Sequence, residues 1–157
     1  MRFNKIKATK EGKIKMEYEV KNEKGGWDEF SFSCAEEPKP SFTAALADLT
    51  RDALEMCELP DVYLDRLQAS GVSFSYGGEN ETMGAVIIAS MLLNKSNTNL
   101  NLNTPHKTED FYGETGDEMQ LLNPECVSRL HRLIEEAEDY VKGIRAQGNL
   151  FNQKIKA

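Results

Sequence analysis

Between Lys13 and Val20 charged and apolar residues alternate without a break, with Ile14, Met16, Tyr18 and Val20 set against Lys13, Lys15, Glu17 and Glu19. Successive side chains of a strand leave opposite faces of the sheet, so a period of two means one buried side and one wet side. Such a strand must pair its edges and cover its apolar face. Candidate partners lie on both sides of it. Phe3, Ile6 and the turn residues Glu11-Gly12 predict an earlier strand joined to it as a hairpin. After the turn Asn22-Glu23-Lys24-Gly25-Gly26, Phe30, Phe32 and Cys34 alternate with Glu29, Ser31 and Ser33. These signals predict a three-stranded antiparallel meander.

The pattern then changes period. Pro38 and Pro40 break the strand, and Ser41 is expected to cap a helix running to about Glu58. Its apolar face is Phe42, Ala45, Leu46, Leu49, Ala53 and Met56, which directs Asp48, Arg51, Asp52 and Glu55 to water. Pro60 ends it. A short helical segment over 61–69, stopped by Gly71, is expected next. Val72, Phe74 and Tyr76 alternate with serines, and Gly77-Gly78-Glu79-Asn80 turns the chain into the apolar run from Met83 to Leu93. That run fits a strand covered on both faces, with a buried helix as the alternative. Leu100 and Leu102, alternating with asparagines, complete a second meander.

Residues 104–120 contain Pro105, two glycines and five acids and are expected to form a long surface loop. Asn123-Pro124-Glu125 then sets a capping side chain, a proline at the first helical position and an acid near the positive end of the helix dipole. In the helix that follows, Val127, Leu130, Ile134, Ala137, Val141 and Ile144 form one apolar seam at spacings of three and four. The seam can pack on the chain's own sheet or against the same helix of a second copy, which makes a homodimer an open alternative. Gly148 is expected to end the helix.

The expected architecture is α+β: an antiparallel sheet of about six strands in two meanders, with a mid-chain helix and a long C-terminal helix packed on one face. At 157 residues the chain fits a single domain, taken as 1–147, followed by a polar, loose tail over 148–157. The longest apolar run is far short of the ~20 residues of a spanning helix, so no membrane is expected as a partner. The first residues lack the apolar segment of a secretory signal, and the expected location is cytoplasmic. Three cysteines at irregular spacing, Cys34, Cys57 and Cys126, suit reduced, buried thiols better than a disulfide framework.

Charge is segregated along the chain. The total is −7, yet residues 1–25 hold eight Lys or Arg against four acids, while residues 108–127 hold six acids and no base. No Gly-x-Ser-x-Gly elbow and no phosphate-cradling loop occurs in the sequence. His106 has Glu109 and Asp110 three and four positions later, the one place where a metal or acid/base site can be imagined. His131 fits a boundary position on the long helix.

These features predict a binding protein with no catalytic residues, no metal and no cofactor. Its expected partner is a cationic protein meeting the acids Glu109, Asp110, Glu114, Asp117 and Glu118 of the loop and Asp48, Asp52 and Glu55 of the first helix. The alternative is an accessory nucleic-acid-binding factor that uses Lys13, Lys15 and Trp27 of the basic first hairpin, although the net charge opposes it. The third reading is a small hydrolase or metal-dependent enzyme at His106.

Overall fold

The computed structural model of the chain describes residues 1–112 and 116–146. Strands β1 (Arg2–Ala8), β2 (Ile14–Lys21) and β3 (Trp27–Cys34) form the first meander. The mid-chain helical region follows as α1 (Pro40–Ala47) and α2 (Thr50–Met56). Strands β4 (Leu67–Gly77), β5 (Thr82–Leu92) and β6 (Asn99–Asn103) form the second meander, and the two-residue β7 (Lys107–Thr108) precedes α3 (Pro124–Val141). The sheet runs β3-β2-β1-β4-β5-β6, with β7 also on β5, and its strand pairings are antiparallel. Six long strands in two meanders, backed by helices, is the α+β arrangement expected from the sequence.

One face of the sheet carries the core. Phe3, Ile6, Met16, Val72 and Ile87 point into it, and Phe42, Leu49, Leu54, Leu130, Leu133 and Tyr140 meet them from the helices. The seam of α3 is used here. Leu130 and Ala137 are fully buried, Val127, Ile134 and Val141 pack at the margin, and Ile144, past the helix end, is exposed. Leu133 and Tyr140 lie deeper than Ile134 and Val141, so the buried stripe is turned slightly from the one the spacing marks. The Asn123 side chain accepts from the Cys126 amide at 2.7 Å with Pro124 behind it, the expected start of the helix.

Several local expectations need correction. The mid-chain helix breaks at Asp48 and Leu49, where the Leu49 amide bonds Leu46 in a tighter turn. Ser41 is not its cap: Pro40 opens the helix, and the Ser41 hydroxyl donates to Glu136 of α3 at 2.9 Å. The segment read as helical over 61–69 is a 3-10 turn, Asp61–Arg66, after which β4 begins at Leu67. Its first apolar residues, Leu67 and Ala69, are out of step with Val72 and Phe74 because the ladder shifts by one between Ala69 and Gly71. A bulge of this kind flips the phase of alternation, which is why a strict period of two misses the start of the strand. A second shift, between Phe3 and Lys5, explains the three-residue spacing of Phe3 and Ile6.

Residues 104–120 are less loop-like than expected. Thr104 is buried and its hydroxyl accepts from the Ile87 amide at 2.9 Å, β7 extends the pairing, and the Glu109 amide donates to Met83 at 2.9 Å. Glu114 and the tail 148–157 lie outside the described residues. No disulfide is formed, but only Cys126 is buried, while Cys34 and Cys57 are partly exposed. Among the described residues no helix is long and apolar enough to cross a membrane.

Candidate binding groove on the open sheet face

The face of the sheet opposite the core is open, and its side chains can be placed from the register. Lys5 of β1 stands beside Glu17 of β2 and Ser73 of β4, and Ser73 stands beside Val86 of β5. In the next row Lys15, Lys7, Gly71, Ile88 and Asn103 lie side by side across five strands. Ser90 and Asn101 follow one row further on. The result is a groove of about 720 Å³ with three kinds of lining. Lys5, Lys7 and Lys10 form one bank, Asn101 and Asn103 form the other, and Val86 and Ile88 form an apolar floor.

By register Gly71 stands between Lys7 and Ile88, buried beneath the groove. A β-carbon there would come within 2.6 Å of the Ile6 carbonyl oxygen, so β1 and β4 pack closely only because no side chain intervenes. From β1 to β6 there are three strand spacings, about 14 Å between the banks. Glu11 and Glu17 also reach this face and offset part of its positive charge.

Lys7 and Lys15 are direct partners across β1 and β2. Like charges placed opposite each other cost stability, and no ion pair holds Lys5, Lys7, Lys10 or Lys15 among the described residues. The cations Arg2, Lys39, Arg129, Arg132 and Arg145 are all ion-paired by contrast.

One row of the sheet beyond the groove, lining a separate hollow of about 240 Å³, His106 lies on the open face over Gly84. A β-carbon on Gly84 would fall 2.3 Å from His106 Nε2 and 2.7 Å from Ser75 Oγ, and these two atoms are hydrogen-bonded at 2.7 Å. Ser75 is the partner that sequence reasoning missed, since it is 31 residues away and nothing local marks it. Among the described residues no carboxylate is hydrogen-bonded to the other ring nitrogen, the place of the orienting acid in a hydrolytic triad. Among the described residues no group of His, Cys, Asp and Glu is placed to hold a metal ion.

The nucleic-acid candidates are dispersed. Lys15 is on the open face and Lys13 is exposed just before β2. Trp27 pairs with Lys21, whereas Lys15 pairs with Ser33. Those positions are six residues apart along β2, about 20 Å, so Trp27 does not join the lysines. Its ring is covered by the Arg2 guanidinium at 4.0 Å, and Arg2 is also paired with Glu19 at 2.7 Å.

The acidic candidates are mostly engaged within the fold. Asp52 does not face water: it is 2% exposed and held by Arg129. Asp48 pairs with Arg132 at 3.2 Å, and Glu109 accepts from the Met83 amide and lies 3.4 Å from His131. Asp110 accepts from the Phe111 amide, and Asp117 from the Met119 amide. Glu55 and Glu118 remain exposed. No protein-family model, no curated protein and no solved structure matches the chain.

Proposed function

We propose that this chain is a non-catalytic binding protein whose open sheet face takes up a single strand of nucleic acid. The observation that carries the reading is the juxtaposition of Lys7 and Lys15, which share one row of the sheet without an acid between them. That arrangement costs stability unless an anion relieves it.

The rest of the groove suits a nucleotide chain. Lysines on one bank meet phosphates, the Asn101 and Asn103 amides on the other can both donate to and accept from base edges, and Val86 and Ile88 offer apolar contact to base faces. Bases must be unstacked to reach such a bank, which favours single strands over a duplex. The lack of an aromatic platform in the groove lining makes phosphate contact the main source of affinity.

Fluorescence anisotropy with a labelled oligothymidylate tests this. Three to four phosphate contacts predict a log–log salt slope of about −2 to −3. Reversing two charges with Lys5→Glu and Lys7→Glu together should weaken binding by about tenfold or more at low salt. No binding at low salt, or binding indifferent to the double reversal, would refute the reading.

A cationic protein partner on the acidic surface remains a second reading, supported by exposed Glu55 and Glu118. Protection of those two residues from carboxyl-directed labelling in a partner complex would favour it.

A further inference from the structure

We propose that Ser75 and His106 form a phosphate subsite one row of the sheet beyond this groove, and that filling it draws a proton onto His106. The inference rests on the groove being the nucleic-acid surface and adds to it a named contact with its own chemistry.

The placement comes from the sheet register. Lys5 is level with Ser73, and Ser75 is two residues further along the same face, level with Gly84. Two residues of strand are about 7 Å and the two strand spacings from β1 to β5 about 10 Å, so Gly84 under His106 lies roughly 12 Å from Lys5, within reach of a nucleic-acid strand that crosses the sheet obliquely from the lysine bank. Gly84 leaves the room that the imidazole occupies, since any β-carbon there would collide with Nε2.

The hydrogen bond supplies the coupling. With the imidazole neutral and Nε2 accepting, the Ser75 hydroxyl spends its only proton on the ring. Once Nε2 is protonated it donates to Ser75 Oγ instead. The serine proton is then free to turn outward, next to a ring that carries a full positive charge. One proton therefore adds a charge and a donor to the place where an anion would sit.

Around this position, among the described residues, Arg2 of β1 lies 4.7 Å from the ring of Tyr76, next to Ser75, and Lys107, Glu109 and Asp110 follow His106 along the chain. β4 and β5 contribute Ser75 and Gly84, which do not titrate. From its own loop, Tyr112 and Asp117 line the same hollow, and the Asp117 carboxylate already accepts from the Met119 amide. Also from β1, Lys5 is one row away by register. His131 is on α3 against Glu109 and serves as an internal control.

Oligothymidylate affinity should be measured at about pH 5.5 and 7.5 for the wild type, His106→Gln and His131→Gln, with the His106 ring signal followed by NMR in the wild type. The wild type should bind about fivefold tighter at the lower pH, the value of one charge-assisted hydrogen bond. His131→Gln should keep that ratio and His106→Gln should lose most of it. In the wild type, oligonucleotide should move the His106 titration midpoint up by roughly one pH unit, the shift that a fivefold affinity ratio between these pH values requires. Tight binding with the same pH ratio in His106→Gln, or an unmoved midpoint at saturation, would overturn the subsite and leave the groove standing. Failure of the wild type to bind at low salt at either pH would overturn both.

Discussion

Arg129 of α3 grips Asp52 of α2 with two parallel hydrogen bonds, Nε to Oδ2 at 2.7 Å and Nη2 to Oδ1 at 2.6 Å. The carboxylate is almost wholly out of water, so its charge is tolerable only while the guanidinium faces it. Arg129→Ala should cost about 3 kcal/mol in urea unfolding. Arg132→Ala, one turn on and breaking an exposed pair with Asp48, should cost less than about 1 kcal/mol. Equal losses would show that burial does not distinguish the two pairs.

The three thiols should separate by reactivity. Burial pushes the Cys34 thiol up, but the Tyr140 hydroxyl, the Glu36 amide and Arg145 beside the sulfur outweigh it and hold the group below the ordinary thiol range. Burial, reinforced by the Asp52 carboxylate, pushes Cys126 up to about 12, and burial also raises Cys57. Iodoacetamide at neutral pH should therefore label Cys34 first, with Tyr140→Phe slowing it. Peptide mapping that finds Cys57 or Cys126 modified first would contradict this order.

Glu19 gives the fold an acid-sensitive component. The Arg2 hydrogen bond lowers its pKa against the opposing effect of burial, with Asn4 helping. A carboxylate depressed in the folded state contributes stability that is complete above its ordinary value of 4.5 and disappears as pH falls through the folded value. Glu19→Gln should lower Tm at pH 7 and converge with the wild type towards about pH 3. Parallel Tm curves across that range would exclude the Arg2 pair as a source of acid sensitivity.

Gly71 should be intolerant of any side chain. A β-carbon would meet the Ile6 carbonyl oxygen at 2.6 Å, and backbone in a paired strand has little room to retreat. Gly71→Ala is expected to cost about 2 kcal/mol. A loss below roughly 0.5 kcal/mol would mean that β1 and β4 can separate at little cost.

Stability and binding should move in opposite directions at Lys7. Lys7→Thr removes the like-charge contact with Lys15 and should stabilise the fold by a few tenths of a kcal/mol, while weakening oligonucleotide binding. A variant that loses both would assign the lysine an ordinary structural role.

The sheet, its two meanders and the start of α3 were legible because each rests on signals within a few residues: the alternation at Ile14–Val20, the glycine turns, and Asn123-Pro124. The seam from Val127 to Val141 was legible as a buried stripe for the same reason. What escaped depends on distant partners. Asp52 has the spacing of a wet position and becomes buried because Arg129 arrives 77 residues later to neutralise it. Ser41 looks like a cap and instead reaches Glu136. The groove was half visible, as basic residues on a strand. Its asparagine bank comes from a strand about 90 residues away and joins only through the order β1-β4-β5-β6.

The irregularity between Ala69 and Gly71 governs more than its own neighbourhood. Upstream of it Leu67 and Ala69 point to the core, and downstream Val72 and Phe74 do. Removing a single residue there would rotate one half of the strand by a full side and exchange greasy floor for solvent. Among descendants of this chain the identity of Ser70 can drift, but neither Gly71 nor the number of residues between Ala69 and Val72 can: selection there would act on counting and on one bare backbone position before it acts on side-chain chemistry.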